Sequence, residues 1–229
     1  AGEKLMKMKG LRAVVLSGEG RAFCAGLDMG RFEAMKTQGA ALAGTRDLRT
    51  RTHGPANKPQ WAAWVWRQLP VPVIAAVHGV ALGGGFQLAL GADMRYATPD
   101  CKMSILEIRW GLVPDVAGTQ IMRHLAREDI VRELTYTGRI FSGEEAFQYG
   151  FVTRVTSDPR AAALETARDI AGKNPHAVRA AKRLLNLAVV TDVQTGLEAE
   201  SVEQFALIGS PNQIEAVKAQ MEKRAPNFV

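Results

Sequence analysis

Cysteine is scarce in this chain: only Cys24 and Cys101 occur, in neither a C-x-x-C nor a metal-ligand spacing. That excludes a disulfide framework and suits a reducing compartment. Histidine is nearly as rare (His53, His78, His124, His176), and no cluster of His, Cys, Asp and Glu has ligand spacing, so no metal is expected. No serine or cysteine sits in a nucleophile elbow. Internal repeats, low-complexity tracts and signal or transit sequences are also missing, so the expected location is cytoplasmic. The net charge of +6 suits a phosphate-bearing small molecule, but the basic residues scatter except at Arg46–Arg51 and Lys223–Arg224. A nucleic-acid partner is therefore not expected.

Long uncharged runs are confined to one stretch, VPVIAAVHGVALGGGFQLALGA over 71–92. Its length raises the question of a membrane span. The β-branched opening (Val71, Val73, Ile74, Val77) and the glycines at 79, 83, 84, 85 and 91 argue against one, since each glycine weakens a helix by roughly 1 kcal/mol relative to alanine. No membrane partner is expected. The pattern reads instead as a buried strand over 71–77, a loop nearly bare of side chains over 78–84, and a buried helix over 85–92. A strand that empties through bare backbone into a helix start leaves N–H groups unpaired at one spot. Such a spot can hold an anion, or a carbonyl oxygen that is becoming one.

The whole chain of 229 residues, 47% hydrophobic and 23% charged, fits one globular domain or a domain with a helical appendage. AGEKLMKMKG reads as the tail of a helix closed by Gly10. LRAVVLSG (11–18) is a buried strand, followed by the small-residue loop EGRAFCAGLDM (19–29). Residues 30–58 are polar and broken by glycine and proline, as a long surface loop or lid would be. WAAWVWRQL (61–69) is a helix whose Trp61, Trp64 and Trp66 either fill a core or line a pocket. A short strand follows Asp93. Residues 102–120 read as a strand, a turn around Gly111 and Pro114, and a helix start near Ala117. SGEEAFQYG opens with Ser142 and has Glu145 three residues on, a capping box. After a last strand over 151–156, helices are expected over 159–173, 176–190, 194–208 and 211–224. The fold class is α/β, with a helical C-terminal layer.

The glycine-rich loop alone could serve simple close packing. The second loop, FCAGLD, sharpens the reading because it too follows a buried strand. If the strands ending at Leu16 and Val77 are neighbours, the backbone N–H groups of Leu27 and Gly84 can converge on one oxygen as an oxyanion hole. Together AFCAGLD (22–28), PVIAAVHGVALGGGFQLALGADMRYAT (72–98), LEIRWGLVPDVAGTQ (106–120) and YTGRIFSGEEAFQYGFV (136–152) resemble the crotonase superfamily of enoyl-CoA hydratases and isomerases, in order and spacing.

The resemblance implies a spiral of ββα turns over 1–157 holding an acyl-CoA site, and a helical trimerisation region over 158–229. It further implies an acyl-CoA thioester substrate, a homotrimer or dimer of trimers, and no separate cofactor, because coenzyme A is part of the substrate. Leu27 and Gly84 are then the oxyanion-hole donors, flanked by Ala25, Gly26 and Gly83, and Asp28 helps hold the loop near the adenine end of the ligand. Lys223, with Arg224, fits a basic patch for the CoA phosphates, of this or a neighbouring subunit, or equally a solvated helix end. Family members carry a strand pair and helix ahead of the point where this sequence starts, with an N-x-P-x-x-x-N-A-like segment near the CoA. Without these the sheet would have an uncovered edge and weaker ligand binding.

The candidate catalytic residues are Glu107, Asp115 and Gln87. A hydratase uses two glutamates; here Gln87 stands at the first position and Glu107 at the second. Glutamine can hold a water but cannot take its proton, or it is a packing residue on a buried helix. Glu107 lies among Ile105, Leu106 and Ile108, and a carboxyl in apolar surroundings has a raised pKa. Asp115 stands where dienoyl-CoA isomerases carry an aspartate beside the glutamate; they also have an acid at the Gln87 position, so the chain matches two of their three, and Asp115 could instead cap the helix from 117. His78 is read as shaping its turn, and Cys24 as small-residue packing. Double-bond isomerisation is the preferred reading, with hydration by Glu107 alone and a silent acyl-CoA or RNA binder as alternatives.

Overall fold

The computed structural model describes residues 1–28, 30 and 47–229. Four parallel strands form the main sheet in the order β1 (Val14–Ser17), β2 (Val73–Val77), β4 (Met94–Ala97) and β6 (Arg154–Val155). A second parallel pair joins β3 (Val80–Leu82) to β5 (Lys102–Ser104). Every residue of β2 is buried, because the sheet is covered on both faces. Ile74 and Ala76 face Ala163 and Ile170 of α7 (Pro159–Ala171). Val73, Ala75 and Val77 face the larger cluster with Trp66, Phe86, Leu90 and Phe151. This alternation is the period of two that a strand imposes.

The remaining described helices are α1 (Gly2–Met6), α2 (Lys58–Gln68), α3 (Gly84–Leu90), α4 (Gly118–Met122), α5 (Glu128–Thr137), α6 (Gly143–Tyr149), α8 (Pro175–Ala188), α9 (Val193–Leu207) and α10 (Pro211–Met221). Asn57 caps α2 and Ser142 caps α6, each in a full capping box. Trp66 is buried under α2, Trp64 packs against the same core beneath the Arg67 guanidinium, and Trp61 stacks on His53 while its Nε1 donates to Glu3. All three of these tryptophans therefore pack on the core side.

Three local expectations change. The stretch 78–84 is not simply a loop, because Val80–Leu82 finds a distant partner in Lys102–Ser104 and becomes β3. After Ser104, whose Oγ donates to the Gly138 carbonyl, the chain turns into a short 3-10 helix, Leu106–Trp110, where a strand and turn were expected. The last strand shrinks from 151–156 to Arg154–Val155, paired with Tyr96 and Ala97. Most of the expected lid over 30–58, residues 31–46, lies outside the described residues. Among the described residues, no helix is long and apolar enough to cross a membrane.

A buried ion pair ties α8 to the sheet. Lys182 Nζ donates to Asp93 Oδ2 at 2.8 Å and to the carbonyls of Trp66 and Val71, and Asp93 Oδ2 also accepts from the Val73 N–H.

Candidate active site

Because β1 and β2 are parallel neighbours, with Leu16 beside Ala75, the loops that follow them leave the same edge of the sheet. The first loop is then drawn along β3: Phe23 N–H donates to His78 O, Cys24 N–H to Val80 O, and Leu82 N–H to Cys24 O. Gly26 sits so close to this strand that a Cβ there would stand 2.7 Å from Leu82 O and 3.9 Å from Gly84 N. The backbone preceding Leu27 thus meets the start of α3. Among the described residues, neither the Leu27 N–H nor the Gly84 N–H donates a hydrogen bond, and Leu27 is 40% exposed. Two free donors at one accessible spot can bind an oxygen that gains negative charge.

Glu107 reaches this spot from the 3-10 helix. Its carboxyl lies against Gly83, where a Cβ would meet Oε1 at 3.2 Å. Gln87, fully buried on α3, donates from Nε2 to Glu107 Oε1 at 2.6 Å. The Gln87 Oε1 in turn accepts from the Val116 and Gly118 N–H groups, both at 2.9 Å. Glu107 Oε2 is buried without a partner among the described residues. Burial raises the Glu107 pKa, the Gln87 donor works against that rise, and the Asp115 charge adds to it. Asp115 is exposed to solvent on one side and crowded by protein on the other, and partial burial raises its carboxyl as well. It does not cap α4, which begins after Ala117 with no side-chain cap.

The enoyl-CoA hydratase/isomerase family profile matches residues 2–229. The chain belongs to that family. It is 33% identical over 94% of its length to the peroxisomal Delta(3,5)-Delta(2,4)-dienoyl-CoA isomerase of Arabidopsis thaliana, covering 78% of that protein. It is 35% identical over 97% of its length to the mitochondrial dienoyl-CoA isomerase of Mus musculus, covering 69% of that protein. Its fold is that of the crystal structure of an enoyl-CoA hydratase from Bacillus anthracis, with a TM-score of 0.85, 32% identity, and coverage of 99% of this chain and 84% of that one. The α/β class and crotonase-like architecture are those of this family.

The other candidates separate on the structure of this family member. Ala25 and Gly26 lie in the loop drawn along β3, and Gly83 sits against Glu107. Asp28 Oδ1 accepts from the Gly30 N–H at 2.7 Å, so it shapes the backbone just past Leu27. Lys223 stands exposed after α10, and no hydrogen bond or ion pair joins it to the other site residues among those described. Neighbouring Arg224 is held by Glu215 and Glu222 of its own helix end. His78 bonds the Gly20 carbonyl through Nε2 and so braces its turn, and Cys24 pairs as a bridge beside Ala81. No group of metal-binding side chains occurs among the described residues. Sequence reasoning missed the Val116 and Gly118 N–H groups. Their role depends on a contact with a side chain 29 and 31 positions away, which no local pattern reports.

Proposed function

We propose that this chain shifts a double bond in an unsaturated acyl-CoA thioester. The Leu27 and Gly84 N–H groups hold the thioester oxygen, Glu107 moves the proton nearest the thioester, and Asp115 serves further along the acyl chain. The observation that carries this reading is the Glu107 carboxyl, lying against Gly83 beside the Gly84 donor with Oε2 buried and unpartnered among the described residues. Removing a proton next to a thioester drives charge onto its oxygen, and each preorganised donor there is worth roughly 10²–10³ in rate. A raised pKa brings Glu107 closer to neutrality, where one group can both take and return a proton. Turning a 3,5-dienoyl into a 2,4-dienoyl thioester takes a proton from carbon 2 and returns one to carbon 6, with no other atom gained or lost. An acid at each end suits that task, and likeness to two dienoyl-CoA isomerases supports it. The shift involves no net oxidation or reduction, so the chemistry calls for no redox cofactor, and the coenzyme A that the substrate carries serves only as its acyl carrier.

Hydration by Glu107 alone is the second reading, favoured by the likeness to the Bacillus anthracis hydratase. On that reading Glu107 works without the second glutamate of a hydratase, because the Gln87 oxygen is committed to two backbone N–H groups. The exposed apolar residues of α9, which buries none of its own, support self-association through that helix, and the assembly we propose is a homotrimer or dimer of trimers.

The test is incubation with crotonyl-CoA, a 3-enoyl-CoA and a 3,5-dienoyl-CoA, followed by absorbance and mass. A shifted diene at unchanged mass supports isomerisation. Gain of one water on crotonyl-CoA makes the protein a hydratase, and no turnover of any of the three favours a silent binder.

A further inference from the structure

We propose that Gln87 is the positioning residue of this site: its one amide holds Glu107 and the turn carrying Asp115 as a unit, and leaves Oε2 as the working oxygen of Glu107. This rests on the acid/base reading of Glu107 and Asp115 given above.

The orientation of the Gln87 amide follows from its partners. Two backbone N–H groups, from Val116 and Gly118, converge on one end, so that end must be the oxygen. The NH₂ end then faces Glu107, and Glu107 Oε1 is an acceptor in that contact. A proton on Glu107 therefore belongs on Oε2, the oxygen that no protein group satisfies among the described residues. Gln87 is 0% exposed, so water does not compete for either end.

The oxygen end does separate work. Ala117 has φ +64, a left-handed conformation that costs an alanine energy, and α4 begins after it without a side-chain cap. Gln87 Oε1 bonds the N–H on each side of Ala117, which closes the strained turn from both ends. Gly118 permits the approach, since a Cβ there would come within 2.8 Å of Gln87 Cδ. Asp115 enters this turn immediately before Val116. It is also the charged group whose field reaches Glu107. A carboxylate in place of Gln87 would put a second acid against Glu107, and two such groups cannot both ionise. The neutral amide lets Glu107 ionise as a single group.

The experiment compares the wild type with Gln87→Leu and Gln87→Glu. It reads the carboxyl ¹³C titration of Glu107, assigned with Glu107→Gln, and kcat and KM on the thioester that the protein turns over. In Gln87→Leu, Glu107 should titrate at higher pH, because a donor to its charged form is gone. Its kcat should fall by about tenfold or more, the scale of a lost hydrogen bond to a charged group, with KM nearly unchanged. In Gln87→Glu, which keeps an acceptor for Val116 and Gly118, the pair should titrate in two steps instead of one. A folded Gln87→Leu protein with the wild-type Glu107 titration and kcat overturns the proposal, as does Gln87→Glu with a single unshifted step. Should Gln87→Leu not fold, the near-isosteric glutamate variant decides alone. If the wild type turns over no thioester, the isomerase reading fails, while the titrations still decide the role of Gln87.

Discussion

At the scale of single residues, the carboxyl of Glu107 has one oxygen bonded by Gln87 and the other without a partner among the described residues, and its ionisation is opposed chiefly by burial. Its folded-state pKa stands above the unfolded value, so between the two the native protein binds more protons than the unfolded chain. Stability must then fall as pH rises through that window. Glu107→Gln should therefore raise the melting temperature more at neutral than at mildly acidic pH, while abolishing turnover; thermal scans across pH read both the sign and the window. Gly83 makes the matching case for backbone. It has φ +52, and a Cβ there would press on Glu107 Oε1 at 3.2 Å. Gly83→Ala should cost about 1–3 kcal/mol in denaturant unfolding and lower kcat by displacing the carboxyl.

Among the elements, the parallel pairing of β1 with β2 decides where chemistry can occur, because it brings two loops far apart in sequence to one edge. The short α4 and its entry turn depend on a side chain from α3. Relieving the left-handed Ala117 with glycine should stabilise the protein by up to about 1 kcal/mol if Gln87 continues to hold the turn. The α8–sheet contact is of another kind. Lys182 is 6% exposed and satisfies Asp93 and two carbonyls. Lys182→Met would strand those acceptors and should cost about 3–5 kcal/mol in chemical unfolding. The capping box of α6 was legible in sequence because its partners, Ser142 and Glu145, lie within one turn. β3 was not, because its partner lies some twenty residues on and a three-residue apolar run between glycines carries no periodicity of its own.

For the whole molecule, the exposed apolar surface concentrates on the C-terminal helices. α9 leaves Val193, Leu197, Val202 and Phe205 uncovered, with Phe205 85% exposed. A patch of that kind on a folded chain marks an interaction surface. The proposed homotrimer or dimer of trimers predicts that Phe205→Glu lowers the sedimenting mass without unfolding the protomer; an unchanged mass would remove α9 from the interface.

Sequence by itself determined the family and the α/β class with its helical C-terminal layer, and it singled out Leu27, Gly84, Gln87, Glu107 and Asp115 as the candidates, because loop chemistry, strand runs and residue types are written locally. Only the tertiary structure decided how that roster is wired. It placed Glu107 on a 3-10 helix rather than a strand and left Asp115 uninvolved in capping. It also turned Gln87 from an isolated polar residue into a three-bonded amide. The physical reason is range. A cap or a glycine turn is satisfied within a few residues, whereas a buried amide takes its partners from whichever segments the packed core brings within about 3 Å.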